Sequence, residues 1–173
     1  ASMYTVPSLM EGKPRVIGFL IEKELKFLGE ALSDPQRPFV AILGGAKVSD
    51  KIGVIESLIS KVDRIVIGGA MAYTFLKGNG KTIGKSLCEN DYIDTGQKLL
   101  KQATEAECEV LLPVDHRVVR EFKAGSPHRV AVGDIDPGFQ AVDVGPIAAK
   151  TFTEKIADAK TIVWNGPMGV FEM

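Results

Sequence analysis

The sequence predicts an α/β protein built on a parallel sheet flanked by helices. Three observations carry this prediction. Short apolar runs alternate with segments of helical period. Three of the four runs end in glycine clusters. The runs are continuous rather than alternating, as strands covered on both faces are.

Residues 1–17 contain Pro7, Gly12 and Pro14 and show no clear period, so they read as a lead-in or linker. A helix follows, with Ile21, Leu25, Leu28 and Leu32 on one stripe, and Asp34-Pro35 ends it. Phe39–Leu43, bounded by Pro38 and Gly44-Gly45, is the first strand. Ile52, Ile55, Leu58 and Ile59 mark a helix. Arg64–Ile67 is the second strand, closed by Gly68-Gly69. Met71–Lys77 reads as a short helix, and Gly78–Asn90 as a polar loop. Tyr92–Glu107 is helical, with Ile93, Leu99, Leu100 and Ala103 inward. Glu109–Leu112 is the third strand, stopped by Pro113. In 114–143 the pattern weakens: Val130-Ala131-Val132 hints at short strands, and Asp136-Pro137-Gly138 signals a turn. A helix spans about Pro146–Asp158, with proline in its first turn. Thr161–Trp164 is the fourth strand, ending at Asn165-Gly166-Pro167.

Composition bounds the function. The chain has 173 residues, 45% hydrophobic and 25% charged, enough for one domain with a substantial core. Its formal net charge of -1 argues against the broad positive field of a nucleic-acid binder. No apolar run approaches the about 18 residues of a membrane span. Neither nucleic acid nor membrane is therefore an expected partner. Cys88 and Cys108 have no metal-ligand spacing and read as free thiols of a reducing, cytoplasmic compartment. The start at Ala1-Ser2-Met3 and the stop at Phe171-Glu172-Met173 suggest a piece of a longer protein.

The glycine clusters are where chemistry is expected. In open α/β sheets, ligands sit at the carboxyl ends of strands, where strand order reverses. A Rossmann-like order 3-2-1-4 places that reversal between the first and fourth strands. The turns at Gly44-Gly45-Ala46-Lys47 and Asn165-Gly166-Pro167-Met168-Gly169 would then share one crevice with Gly68-Gly69 nearby. Glycine permits close backbone approach, and a following helix N-terminus favours an anion. Lys47 and Lys51 add positive charge where phosphates would lie. Asp50 could orient a lysine, approach a metal, or simply cap the helix.

Other patterns are weaker. Gly80-Lys81-Thr82 and Gly84-Lys85-Ser86 end like a Walker A motif but lack its first glycine. His116 and His128 have no ligand partners in sequence and read as surface or satisfied polar groups. Asp134 and Asp136 read as turn residues. A dehydrogenase-type Gly-x-Gly-x-x-Gly is absent after the first strand.

Several longer motifs together resemble one family. Residues 39–51, Phe-Val-Ala-Ile-Leu-Gly-Gly-Ala-Lys-Val-Ser-Asp-Lys, look like the segment opening the C-terminal domain of phosphoglycerate kinases. Residues 67–76, the Gly84-Lys85-Ser86-Leu87 stretch, Leu111–Asp115 and Val163–Glu172 follow in family order. Gly18-Phe19-Leu20 and Glu22–Leu25 resemble the helix ahead of them. The resemblance implies ATP-dependent phosphoryl transfer between 1,3-bisphosphoglycerate and ADP, with Mg2+ accompanying the nucleotide. It implies a nucleotide-binding C-terminal domain over residues 18–173, cytoplasmic and glycolytic, in a monomeric parent enzyme.

By that resemblance, Gly44, Gly45, Ala46 and Lys47 approach the nucleotide phosphates. Asp50 lies with them, and Lys51 contacts the transfer end. Lys47 and Lys51 would be the catalytic residues. Gly68, Gly69 and Ala141 line the adenine side. Asn165, Gly166, Pro167 and Val170 border the nucleotide, and Glu172 receives the ribose hydroxyls. Two positions depart from the family: Ala70 and Ala141 stand where glycine is common, each adding one methyl near adenine. The resemblance also puts the 3-phosphoglycerate site and the metal-holding glycine-rich loop outside this chain. No metal site is expected within it, and the chain alone is expected to be inactive. A non-catalytic nucleotide-binding module of the same fold is the remaining alternative.

Overall fold

The computed structural model describes residues 5–172. Within the helix at 19–33, the side chains of residues 28, 30 and 31 fall outside the description, Leu28 of the expected stripe among them. Two compact units divide the chain, one ending at Pro35 and one beginning at Gln36. The first holds α1 (Thr5–Ser8) and α2 (Phe19–Ser33). The one-turn α1 lies in the segment whose sequence shows no period. Along α2, Leu25 is exposed while Ile21 and Leu32 are half-buried.

The second unit carries the sheet. Its elements are β1 (Phe39–Leu43), α3 (Ile52–Ile59), β2 (Arg64–Ile67) and α4 (Ala72–Gly78). A 3-10 turn at Asn90–Tyr92 leads into α5 (Ile93–Glu105), followed by β3 (Glu109–Leu111), β4 (Asp115–Val119), β5 (His128–Val132) and β6 (Gln140–Val144). α6 (Pro146–Ile156) and β7 (Thr161–Asn165) complete it. The main sheet runs β3-β2-β1-β7, all parallel, the order the sequence predicts.

β1 is central, and all five of its residues are buried. Successive side chains of a strand point to opposite faces. Val40 and Ile42, with Val66 of β2, pack against Ala148 and Phe152 of α6. Each large apolar side chain buried this way stabilises the fold by roughly 1.5–3 kcal/mol. On α5 the buried positions are Gly96, Leu99 and Ala103. Gly96 lets α5 lie against the Phe75 ring of α4, which a side chain would crowd. Ile93 and Leu100, expected inward, are half-buried.

The stretch 114–143, weakly patterned in sequence, forms a second sheet. It is antiparallel, in the order β5-β4-β6, with a register shift at Arg117/Val118. Asp115 joins it to α6. The buried carboxylate accepts the Ala148 amide at 2.7 Å and the Ile147 amide at 3.0 Å. It thus caps a helix that begins with Pro146 and has no capping side chain of its own. His116, also buried, shares a 3.2 Å hydrogen bond with the Tyr73 hydroxyl of α4. Among the described residues, no helix is long and apolar enough to cross a membrane.

Candidate nucleotide site

The three glycine turns meet at the carboxyl ends of β1, β2 and β7. The Gly44 amide donates to the Asn165 carbonyl at 2.9 Å, and Gly45 to Pro167 at 3.0 Å. Gly69 donates to Met168 at 2.8 Å, and Met71 to the Gly45 carbonyl at 3.1 Å. A side chain on Gly44 would run into the Pro167 carbonyl. One on Gly69, at φ 68, would meet the Gly45 backbone. These glycines therefore stitch turn to turn. The amides that could have faced a ligand at Gly44, Gly45, Gly68 and Gly69 are already spent. Ala46 and Lys47, next along, keep amides that donate to no acceptor among the described residues.

The stitched turns form one wall of a cavity of about 280 Å³. Of the residues expected to touch nucleotide, Gly45, Ala46, Gly69, Ala141, Pro167 and Val170 line it, as does Glu172. The lining is mostly apolar, with Ala70, Leu87, Phe122 and Met168 also facing the space. Tyr73, whose phenol pKa is raised by burial and by the nearby Asp143 charge, closes the floor between α4 and the antiparallel sheet. Gly44, Gly68 and Gly166 stand behind the wall as packing residues.

The cations lie beside this cavity, on the loop from β1 to α3. Lys51 precedes α3 and donates its ammonium to Oδ1 of Asn165 on the facing turn. Lys47 is exposed. Asp50 is exposed too and does not cap α3, whose N-terminal cap residue is Lys51 without a side-chain cap bond.

Glu89 also belongs to this loop, though its sequence context gives no sign of it. Its carboxylate accepts the Ser49 hydroxyl at 2.6 Å and the Ser49 amide at 3.0 Å. Partial burial would raise the Glu89 pKa. The Ser49 bonds and the Lys47 charge outweigh burial and hold it below the usual carboxylate range.

The remaining motifs are structural. In the Walker-like stretch, the Thr82 amide donates to Asp134 at 2.7 Å, and the Ser86 hydroxyl accepts the Ala141 amide at 3.0 Å. That loop fastens the antiparallel sheet to α4. Asp136 pairs with Arg129, and His128 lies 3.0 Å from the Arg117 guanidinium. Cys88 and Cys108 are free thiols.

Comparison with known proteins fits this geometry. The phosphoglycerate kinase family model matches residues 1–173, the whole chain. The chain belongs to the phosphoglycerate kinase family. The phosphoglycerate kinase of Lacticaseibacillus casei (strain BL23) is 55% identical over 161 residues, 93% of this chain and 40% of that protein. That of Clostridium perfringens (strain SM101) is 56% identical over 160 residues, 92% of this chain and 40% of that protein. Among solved structures, the Coxiella burnetii phosphoglycerate kinase superposes with a TM-score of 0.85 at 43% identity, covering 90% of this chain and 40% of that one. The Pyrococcus horikoshii enzyme gives 0.76 at 28% identity, over 92% of this chain and 41% of that one. The chain thus spans about 40% of the length of the curated phosphoglycerate kinases it matches.

Proposed function

We propose that this chain supplies the adenine-nucleotide half of a phosphoglycerate kinase. The observation that carries the reading is a juxtaposition: a mostly apolar cavity sits against a loop that presents Lys47, Lys51 and unspent amides. A flat, uncharged base suits the first, and a phosphate chain the second. The base lies between Gly69-Ala70 and Ala141, with the methyls of Ala70 and Ala141 against it. The phosphates run past Ala46 to Lys47 and Lys51, and Glu172 receives the ribose hydroxyls. Asn165 sets the Lys51 ammonium.

The reaction is phosphoryl transfer between 1,3-bisphosphoglycerate and ADP, giving 3-phosphoglycerate and ATP, in the cytoplasm. Two free thiols suit such a compartment. Phosphoryl transfer asks little covalent chemistry of the protein, so positioning and charge neutralisation at Lys47 and Lys51 carry this chain's share. Among the described residues, no group of three His, Cys, Asp or Glu side chains is placed to hold a metal. Mg2+ arrives with the nucleotide.

The acyl-phosphate substrate binds to portions of the family outside this chain. The 173-residue chain alone binds nucleotide and does not turn over, because catalysis requires both substrates brought together. Calorimetric titration with ADP tests the binding half. Charged hydrogen bonds contribute roughly 1.5–3 kcal/mol each, so Lys47→Ala with Lys51→Ala should weaken ADP strongly. Equal affinity in wild type and double variant would place the phosphates elsewhere. ATP formation from 1,3-bisphosphoglycerate by the purified chain would overturn the second half.

A further inference from the structure

A carboxylate beside a phosphate site is a liability, because it repels the ligand the lysines attract. Glu89 occupies that position, yet both its oxygens are engaged. Oε1 accepts the Ser49 hydroxyl at 2.6 Å and Oε2 accepts the Ser49 amide at 3.0 Å. Ser49 lies midway between Lys47 and Lys51. Glu89 is itself held from behind: its amide donates to Thr74 Oγ1 at 3.1 Å, and Thr74 is fully buried in α4. A second tie runs from Lys77, in the last turn of α4, to Oδ1 of Asn90 at 2.8 Å. α4 follows directly on the turn whose Gly69 and Ala70 line the cavity. A continuous path therefore leads from the base-binding wall through Thr74 and Glu89 to the lysine-bearing loop.

We propose that Glu89 is a positioning residue of this site, fixing Ser49 so that Lys47 and Lys51 stand where a nucleotide's phosphates need them. This rests on the reading of the Gly44–Lys51 loop as the phosphate site. Charge alone argues for the opposite effect, since removing Glu89 removes repulsion. Geometry outweighs it here. The Glu89 charge is engaged by the Ser49 hydroxyl and amide, with the Val48 amide also directed at it, and it faces Lys47, whereas the loop it secures contains Gly45 at φ 125 and two amides that find no acceptor among the described residues. Without Glu89 such a loop samples many conformations, and the ligand must order it on binding.

The role predicts a split between two ligands that share a base but differ in phosphates. ADP and adenosine are titrated by NMR into the 173-residue chain, its Glu89→Ala, Glu89→Gln and Ser49→Ala forms, and the Lys47→Ala/Lys51→Ala form. Glu89→Ala and Ser49→Ala should weaken ADP about fivefold or more, the lower end of ordinary coupling between sites. Adenosine affinity should stay at the wild-type value. Glu89→Gln keeps one acceptor oxygen and should recover part of the loss; it carries the comparison if Glu89→Ala fails to fold. Equal losses for ADP and adenosine would reduce Glu89 to a structural prop and overturn the proposal. So would unchanged or tighter ADP binding in the Glu89 and Ser49 variants while the lysine variant still loses ADP, an outcome that leaves the phosphate site standing. No ADP loss in the lysine variant would remove the site, and the proposal with it.

Discussion

The Lys51 ammonium donates a hydrogen bond to Oδ1 of Asn165, a residue 114 positions away. The bond joins the loop after β1 to the last residue of β7, across the crevice at which strand order reverses. An unrestrained lysine has a long, flexible stem, and holding it in one place costs conformational entropy. Asn165 meets that cost before a ligand arrives. Lys51→Ala and Asn165→Ala should therefore each weaken ADP, and their effects should not add. A double-mutant cycle by calorimetry should show a coupling of about 0.5–3 kcal/mol. Strict additivity would mean that Asn165 does not act through Lys51.

Asp115 predicts a stability effect, although it is not among the residues lining the cavity. Its two oxygens cap α6 from β4, and a side chain at Gly145 would collide with them. Asp115→Ala leaves the buried Ala148 amide and the part-buried Ile147 amide unpaired at the helix start. Chemical denaturation should show a loss of about 2–4 kcal/mol, the range for breaking charge-assisted bonds at a buried cap. Asp115→Asn, which keeps an acceptor, should lose less. A loss below about 0.5 kcal/mol, typical of an exposed position, would contradict the capping role.

His116 predicts how stability responds to acid. Burial lowers its pKa, although the Gly133 backbone and the Asp115 charge pull the other way. The unfolded chain accepts a proton near pH 6.5, whereas the folded chain resists until a lower pH. The unfolded state then binds more protons, so stability rises with pH across that window and falls as pH drops below about 6.5. Unfolding free energies measured from pH 7.5 to 5.5 should decline in wild type. The decline should be shallower in His116→Gln, which retains polar contact with Tyr73 but does not titrate. Parallel curves would assign the acid sensitivity to other groups.

β7 predicts self-association. It forms one edge of the sheet, with Ile162 48% and Trp164 65% exposed, whereas every residue of its neighbour β1 is buried. An apolar edge strand with free backbone groups recruits other strands. The 173-residue chain should sediment as a concentration-dependent mixture, and Ile162→Lys with Trp164→Lys should shift it toward monomer. A wild-type monomer at all concentrations would show that this edge is blocked.

The parallel sheet was legible in sequence because its signals are local. Phe39–Leu43 is an uninterrupted apolar run closed by glycines, and Ile52, Ile55, Leu58 and Ile59 repeat at helical spacing. Of the antiparallel sheet only β5 was hinted at, by Val130-Ala131-Val132; β4 was not legible, because it begins with Asp115 and His116, polar residues that look solvent-facing. Both are buried, and their partners lie on α6 and α4, which no window of sequence brings together. Three of the five residues of β5 are apolar, yet the strand is mostly exposed, so its pattern reports no core face. At the site, the lysines and glycine turns announced themselves. Glu89 did not, since its partner Ser49 is 40 residues away, and neither did Tyr73, in a short helix, Leu87, in a polar loop, or Phe122, in the weakly patterned stretch.

The central claim is that a nucleotide's base enters the cavity beside Gly69 and Ala141 while its phosphates reach Lys47 and Lys51. Diffraction from crystals of this chain grown with ADP tests it most directly. The account predicts difference density for the adenine ring between the Gly69-Ala70 turn and Ala141, with phosphate density within hydrogen-bonding reach of the Lys47 and Lys51 ammonium groups. Density for ADP at the Gly80–Ser86 loop, or phosphates remote from both lysines, would contradict it.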